Sequence, residues 1–158
     1  MNREKIYLDT SVPSAYYDER QTERMRVTQI WWKNELLKYD VLISEITTRE
    51  LGATPDLDKR KKLLKLVEAF PVVTVTSEIV ALAEKYLEAN IIPKNFKNDA
   101  LHIAIATIYG ANILVSWNFK HLVTHDTRIK VNAVNVLNGY VELKIESPLE
   151  LGGGKYVG

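Results

Sequence analysis

The sequence predicts a single α/β domain with a mainly parallel central sheet and helices on both of its faces. Short apolar runs alternate along the chain with longer stretches of helical periodicity, which is typical of successive strand-helix-strand units. The 158 residues are 46% hydrophobic and 26% charged, which are the length and composition of one globular domain. We assign that domain to residues 1–151 and expect the glycine-rich residues 152–158 to form a flexible tail.

The first predicted strand is the short apolar run at residues 6–8, which Asp9 ends. Pro13 follows at a position that the first turn of a helix tolerates, so a helix is expected directly after the strand. Aromatic and aliphatic residues recur at loosely helical spacing over residues 14–39, and the polar stretch 18–23 interrupts them. This pattern predicts a helical hairpin or one broken helix.

Further strands and helices alternate through the rest of the chain. The strands are predicted over residues 41–44, 72–75, 113–116 and 141–145. The helices are predicted over residues 45–51, 57–70, 77–87, 98–109 and 127–136. Gly52 and Pro71 end the first two of these helices, and Asp56 or Asp58 caps the second.

Carboxylate and amide side chains stand next to apolar runs in four separate parts of the chain. Asp9 and Asn118 follow strands, Glu50 lies on the helix after the second strand, and Asp99 opens the apolar helix. The carboxyl ends of parallel strands meet at one edge of a sheet, where ligands bind. Carboxylates are ligands that Mg²⁺ and Mn²⁺ prefer, and clustered carboxylates raise one another's pKa unless a cation neutralises them. The placement therefore predicts a shared, metal-dependent site for phosphoryl transfer.

Each of these residues also has an ordinary structural explanation. Asp9 can cap the following helix, and Asp99 suits the positive end of a helix dipole. Glu50 can be a solvated helical acid, and Asn118 can cap a turn. The common placement, rather than any single residue, favours the site.

The absence of cysteine excludes some kinds of site, whereas the net charge excludes no class of partner. Lys and Arg number 21 against 20 Asp and Glu, so the net charge gives no argument for a polyanionic partner. The sequence contains no cysteine, which excludes disulfides, thiolate metal sites and cysteine nucleophiles. It also contains no signal-peptide core and no apolar stretch that would span a bilayer, so we expect a cytoplasmic protein without a membrane partner.

The motifs together resemble the PIN-domain ribonucleases, including the VapC-like toxins. The resemblance is carried by Tyr-Leu-Asp-Thr-Ser-Val at residues 7–12, by Ser44 with Glu50, by Asn-Asp-Ala-Leu-His-Ile-Ala at 98–104 and by Leu-Val-Ser-Trp-Asn-Phe at 114–119. It implies a three-layer α/β/α sandwich, an endoribonuclease site for Mg²⁺ or Mn²⁺, single-stranded RNA as substrate, a homodimer and an antitoxin protein as partner.

The resemblance also assigns roles to residues of this chain. It places Asp9, Glu50 and Asp99 at metal-binding positions and Asn118 beside them as a fourth catalytic position. Asn118 stands where the family often has aspartate, so a second metal ion is expected to bind more weakly. Four further residues are candidates for substrate binding: Thr10, Ser116, Lys120 and His121. Of these, Thr10 and Ser116 are alternatively turn hydroxyls or groups that hold a carboxylate.

Several alternatives stay open at this stage. Asp126 is a weaker candidate for the fourth acid, and His102 is expected to be a hydrogen-bonded structural residue rather than a base. The substitution at Asn118 motivates a second hypothesis, a PIN-fold module that binds RNA or protein without catalysis. A third hypothesis takes Asp9 as the nucleophile of a haloacid-dehalogenase-like phosphatase, but Ser11 stands where that family has a second aspartate.

Overall fold

A computed structural model of the chain describes residues 3–157 and contains one five-stranded sheet. The strands are β1 (Lys5–Leu8), β2 (Asp40–Ser44), β3 (Val72–Val73), β4 (Ile113–Val115) and β5 (Lys144–Glu146). Their order is β3-β2-β1-β4-β5, and all four neighbouring pairs are parallel. The predicted α/β class with a mainly parallel sheet is confirmed.

Seven α-helices connect the strands. They are α1 (Ser11–Tyr16), α2 (Thr22–Asn34), α3 (Glu45–Gly52), α4 (Leu57–Val67), α5 (Ser77–Glu88), α6 (Lys97–Ile108) and α7 (His125–Leu137). Short 3₁₀ helices lie at Leu36–Lys38 and Gly153–Tyr156. The predicted break after the first helix is confirmed, since α1 and α2 are separate helices that contact each other. None of the helices within residues 3–157 combines the length and apolarity that a membrane crossing requires.

Side-chain caps fix where several helices begin. Ser44 accepts hydrogen bonds from the amides of Ile46 and Thr47 at the start of α3. Asp56, rather than Asp58, caps α4 by accepting from the amide of Lys59 at 3.0 Å. Because β2 runs directly into the capped α3, Glu50 is carried on a helix that starts at the carboxyl edge of the sheet.

Two apolar cores lie on opposite faces of the sheet. The first contains Tyr7 of β1 and Leu114 of β4 and packs against α5, α6 and α7. The second contains Ile6 and Leu8 of β1 and packs against α1, α2 and α4. Neighbouring residues of a strand therefore face different cores, which explains why the strands are apolar throughout instead of alternating with polar residues. The three-layer α/β/α arrangement is confirmed.

Strands are added to the sheet first on one side of β1 and later on the other side. The first crossover leads from β1 to β2 on one side, and β4 and β5 are added later on the other side of β1. Parallel α/β sheets bind ligands at such a switch point, beyond the carboxyl ends of the strands. The residues that emerge there are Asp9 after β1 and Ser116 after β4.

The C-terminal segment contacts α2 and the residue that follows it. Trp31 Nε1 donates a hydrogen bond to the carbonyl oxygen of Leu151 at 2.9 Å. The buried carboxylate of Glu35 accepts from Tyr156 Oη at 2.8 Å and pairs with Lys155 Nζ at 3.0 Å. Burial raises the pKa of Glu35, but the hydrogen bonds from Tyr156 and Lys155 outweigh burial and hold that pKa below its usual value.

These contacts differ from the free tail that the glycine content suggests. The structure places Gly153–Tyr156 in a 3₁₀ helix held on α2. Residues 1 and 2 of the predicted domain and residue 158 of the predicted tail lie outside the described residues. The flexibility of residues 152–158 in solution stays a prediction.

We expect Gly153→Ala to lower the free energy of unfolding by about 1–3 kcal/mol. A Cβ atom at residue 153 would clash with the carbonyl oxygen of Pro148, a backbone atom that moves only with its whole segment. The matched control is Gly52→Ala at the end of α3, where an added Cβ meets nothing within 4 Å. We expect that control to be neutral or stabilising by up to about 1 kcal/mol. Urea unfolding measures both, and equal values for the two variants would contradict the proposed packing.

Candidate active site

Asp9 is buried at the end of β1, with 3% of its surface exposed. Its Oδ1 accepts hydrogen bonds from the amide of Ser11 at 3.0 Å and from Ser11 Oγ at 2.5 Å. Its Oδ2 accepts from Ser116 Oγ at 2.6 Å. Burial raises the pKa of Asp9, with a further contribution from the charge of Asp99, against the lowering effect of the hydrogen bonds from Ser11 and Ser116. The site therefore holds a desolvated carboxylate whose hydrogen bonds come from hydroxyl and amide groups.

Asp99 lies in the first turn of α6 and is joined to the segment that follows β4. Its Oδ2 accepts from Asn118 Nδ2 at 3.2 Å and contacts His121 Nδ1 at 2.8 Å. The backbone amide of Asn118 donates to Ser116 Oγ at 2.9 Å, and that same hydroxyl donates to Asp9. Asp9 and Asp99 are therefore linked through Ser116 and Asn118.

Asn118 also stabilises the turn that contains it. Its Oδ1 accepts from the backbone amides of Lys120 at 3.2 Å and His121 at 2.9 Å. The turn-capping role and the placement beside Asp99 are thus combined in one side chain. An asparagine amide serves both, because its oxygen caps the turn while its nitrogen donates to the carboxylate.

Glu50 reaches the same region from α3. Its Oε1 accepts from Thr10 Oγ1 at 2.5 Å and contacts His102 Nε2 at 2.9 Å, and its Oε2 accepts from Asn98 Nδ2 at 3.3 Å. Burial raises the pKa of Glu50, but the hydrogen bonds from His102, Thr10 and Asn98 outweigh burial and bring that pKa below its usual value. Glu50 is therefore held as a carboxylate in contact with α6 and with Thr10, in the segment that follows β1.

His102 connects Glu50 to the core of the domain. It is 3% exposed, and its Nδ1 lies 2.6 Å from Tyr7 Oη. Because an ionised carboxylate only accepts hydrogen bonds, we assign Nε2 as the donor to Glu50 and Nδ1 as the acceptor from Tyr7. The tyrosine hydroxyl also contacts Ser44 Oγ at 2.8 Å. This arrangement agrees with the structural role expected for His102.

Two features of this network were not predicted from the sequence. Tyr7 was not recognised as part of the site, although it stands two residues before Asp9 on the same strand. His121 was predicted to bind substrate, but its contact with Asp99 was not foreseen. The contact of His102 with Glu50 had a signal in the sequence, since the spacing of Asp99 and His102 places both residues on one face of α6.

The candidate residues differ in how they are placed. Thr10 and Ser116 donate to Glu50 and Asp9, which matches the alternative that they hold carboxylates. Lys120 is exposed beside Asn118. Asp126 pairs with Lys130 at 3.0 Å, on the first turn of α7. Direct contact of these residues with substrate stays a prediction.

The donor types at this edge of the sheet fit a hard divalent cation. Hydrogen bonds through Ser116 and Asn118 link Asp9 to Asp99, and Glu50 lines the same cleft as Asp99. Within residues 3–157 no three acidic or histidine side chains are grouped closely enough to hold a metal ion as they stand. Glu50 and Asp99 each contact a histidine instead. The oxygen donors and the desolvated charge of Asp9 are nevertheless the features that Mg²⁺ or Mn²⁺ would stabilise.

We expect the stability cost of the Asp9 charge to depend on pH when metal is absent. Burial raises the pKa of Asp9, so the folded state binds the Asp9 proton more tightly than the unfolded state does. The stabilisation from this proton is complete below the unfolded pKa of about 4 and is lost as the pH rises through the folded pKa. Asp9→Asn removes this titration. In EDTA, the free energy of unfolding of wild type minus that of Asp9→Asn should fall as the pH rises above about 4.

Urea unfolding at several pH values measures this difference. The comparison with the variant is needed because Glu50 and Glu35, whose pKa values are lowered, act in the opposite direction in the wild-type curve. A difference that is constant over the pH range would contradict the desolvation of Asp9.

The fold and the cluster define the class of protein. It is a parallel α/β protein in which Asp9 and Asp99 are linked through hydrogen bonds beyond the carboxyl ends of β1 and β4, at the switch point of the sheet. The sequence matches the PIN domain family over residues 6–135, most of its length. The chain belongs to the PIN domain family, as the sequence motifs imply.

Solved structures of VapC-type proteins share the fold. VapBC2 from Rickettsia felis bound to a promoter DNA fragment aligns with a TM-score of 0.52 and 12% identity, covering 90% of this chain and 98% of that one. VapBC-1 from nontypeable Haemophilus influenzae aligns with a TM-score of 0.56 and 16% identity, covering 91% and 98%. The toxin VapC20 of Mycobacterium tuberculosis, which cleaves the sarcin-ricin loop, aligns with a TM-score of 0.57 and 17% identity, covering 87% and 97%. No curated protein matches the chain significantly.

Proposed function

We propose that the protein is a metal-dependent endoribonuclease that hydrolyses phosphodiester bonds of single-stranded RNA. The observation that carries the proposal is the hydrogen-bonded link between Asp9 and Asp99 through Ser116 and Asn118, with Glu50 on the cleft that Asp99 also lines. Membership of the PIN domain family supports it, as does the fold shared with the sarcin-ricin loop cleaving toxin.

In this proposal Asp9, Glu50 and Asp99 hold Mg²⁺ or Mn²⁺. When bound, such an ion supplies charge that polarises the phosphodiester and lowers the pKa of water. The chain itself supplies geometry: Ser11 and Ser116 orient Asp9, and Thr10 orients Glu50. These hydroxyl groups donate hydrogen bonds to the carboxylates and bring no cation that would compete with the metal ion.

Basic side chains at the cleft are proposed to contact the RNA backbone. Lys94 and Lys97 are exposed along the cleft that Glu50 and Asp99 also line. Lys120 and His121 follow Asn118 on the neighbouring turn. A local set of basic groups compensates the charge of phosphate although the net charge of the chain is only +1.

We further propose that the protein is the toxin of a toxin–antitoxin pair, acts in the cytoplasm and forms a homodimer. The support is the likeness in fold to two VapBC assemblies. Co-purification with the product of an adjacent small gene, together with growth arrest on expression of the chain alone, tests this role. Growth that is unaffected by active enzyme would contradict it.

The direct test of the nuclease proposal is cleavage of an end-labelled single-stranded RNA by purified protein. Reactions contain Mn²⁺, Mg²⁺ or EDTA, and a fully paired RNA of the same sequence is the matched substrate control. We expect internal cuts in the single strand with either ion and none in EDTA. Absence of cutting over a range of RNAs by correctly folded protein would contradict the proposal.

A second function is favoured by one observation, the amide of Asn118 in place of a carboxylate. The alternative is a PIN-fold module that binds RNA or protein with weak or no catalysis. We expect Asn118→Asp to raise the affinity for Mn²⁺ about 10-fold or more, because an added charge would face Asp99 across the present contact of 3.2 Å. Without metal the same change should lower the melting temperature, since two carboxylates would then repel each other.

Calorimetric titration with Mn²⁺ and thermal unfolding in EDTA measure the two effects. If Asn118→Asp binds Mn²⁺ more tightly and gains cleavage that wild type lacks, the binding-module function is supported. If wild type already cleaves, the nuclease function stands and the substitution only tunes it.

A further inference from the structure

An exposed aromatic ring stands next to a residue of the acidic cluster in the chain. Phe119 follows Asn118 in the chain, and 45% of its surface is exposed. Its ring meets the ring of Trp117 edge to face, with centroids 6.0 Å apart and planes at 68°. The guanidinium of Arg24 lies 5.0 Å from the Trp117 centroid and 5.8 Å from the Phe119 centroid. We call Phe119, Trp117 and Arg24 the aromatic shelf.

Helix α2 holds the residues of the aromatic shelf in place. Trp117 is 4% exposed, and its Nε1 donates to Thr28 Oγ1 of α2 at 2.9 Å. Arg24 comes from the same helix, one turn earlier. The exposed ring of Phe119 therefore rests on a buried ring that α2 fixes in place.

The shelf is also tied to the catalytic cluster. The backbone amide of Trp117 donates to Ser11 Oγ at 2.8 Å, and that hydroxyl donates to Asp9. Asn118, which contacts Asp99, lies between Trp117 and Phe119 in the chain. The two aromatic residues of the shelf are therefore each one position along the chain from a residue that contacts Asp99.

The chemistry of the shelf matches a nucleotide of single-stranded RNA. An exposed aromatic face stacks with any base, and an arginine binds phosphate through planar donors. Arg24 makes no ion pair with a carboxylate among the described residues, so its charge is not neutralised there. A cation and an aromatic ring on one surface, next to a cluster proposed to cleave phosphodiesters, favour RNA over a protein partner as the occupant.

From this placement we infer that the aromatic shelf is a subsite for the nucleotide next to the scissile phosphate, with its base stacked on Phe119 and its phosphate bound by Arg24. The inference rests on the proposed ribonuclease function and gives it a mechanism of selectivity. A paired base is already stacked within its duplex and is not free to lie on the ring, so the shelf selects unpaired RNA.

The test measures RNA binding separately from cleavage. Fluorescence anisotropy in EDTA follows a labelled single-stranded RNA and a series of the same RNA with one abasic position moved along it. The proteins are wild type, Phe119→Ala, Phe119→Trp, Arg24→Gln and the control Leu137→Ala, which removes a side chain 85% exposed on α7. Thermal unfolding verifies that each variant is folded.

We expect Phe119→Ala to weaken binding roughly 5- to 150-fold, the range that corresponds to about 1–3 kcal/mol of base–aromatic stacking. Phe119→Trp should retain wild-type affinity, and Leu137→Ala should not change it. Arg24→Gln should weaken binding and make the salt dependence less steep. One abasic position should weaken binding to wild type but have no effect on Phe119→Ala.

The outcomes separate this inference from the proposed function. If RNA binds and depends on Phe119 but no RNA is cleaved with Mn²⁺ or Mg²⁺, the subsite stands and the nuclease proposal fails. If RNA is cleaved but Phe119→Ala binds within about twofold of wild type, or shows the same abasic penalty, the subsite is overturned. Failure of wild type to bind single-stranded RNA, or loss in Phe119→Ala only of binding to a protein partner, would also overturn it.

Discussion

Replacement of Asp99 by asparagine is expected to reduce metal-dependent RNA cleavage more than about a hundredfold, because loss of an outer-shell partner of a metal ligand already costs about 10- to 100-fold. The change removes a charge but keeps the shape of the side chain. Asn118 and His121, which now contact Asp99 Oδ2, retain an oxygen that accepts hydrogen bonds. The fold should therefore survive while the cation loses one of its ionised ligands.

The matched control is Asp126→Asn. Asp126 also lies in the first turn of a helix, but its side chain is 75% exposed and pairs with Lys130. We expect wild-type cleavage from this variant. Initial rates with Mn²⁺ and thermal unfolding of both proteins are compared, and an Asp99→Asn enzyme that cuts at the wild-type rate would refute the assignment of the metal site.

The order of elements was predictable because each depends on local chemistry. Asp56 caps α4 through the amide of Lys59, only three residues away. The polar interruption after α1 breaks the apolar pattern of a helix within the same short stretch. Parallel strands buried on both faces are apolar throughout, and this composition is visible without knowledge of their neighbours.

Positions at strand ends were predictable for a related reason. Asp9 and Asn118 follow apolar runs, and parallel pairing brings such ends together wherever the strands are in the chain. The sequence therefore predicted at which edge of the sheet the acidic residues lie, but not which side chains they contact. The histidine partners of Glu50 and Asp99 depend on distances between α3, α6 and the turn after β4, which no local pattern encodes.

The contacts of the C-terminal segment were not predicted, since glycine content describes the freedom of an isolated chain. Leu151 accepts a hydrogen bond from Trp31 and Tyr156 donates one to the buried Glu35, and both partners lie about 120 residues earlier in the chain. Arg24 of the aromatic shelf was missed for the same reason, because α2 and the turn after β4 meet only in the folded protein.

We expect Trp31→Ala to lower the free energy of unfolding by about 3–5 kcal/mol, the cost of removing a large buried aromatic side chain. Trp31 is fully buried in the core between the sheet and α2. The substitution leaves a cavity there, and it also leaves the carbonyl oxygen of Leu151 without its tryptophan donor. It therefore weakens both the core and the attachment of the C-terminal segment.

The neighbouring Trp32 provides the control, because adjacent residues of a helix point in different directions. Trp32 is only partly buried and contacts the rings of Tyr16 at 5.5 Å and Phe70 at 5.7 Å. We expect Trp32→Ala to cost about 1–2 kcal/mol. Urea unfolding gives both values, and trypsin cleavage after Lys155 reports release of the C-terminal segment, which only Trp31→Ala should accelerate. Equal destabilisation by the two changes, or equal cleavage, would mean that Trp31 does not fasten this segment to α2.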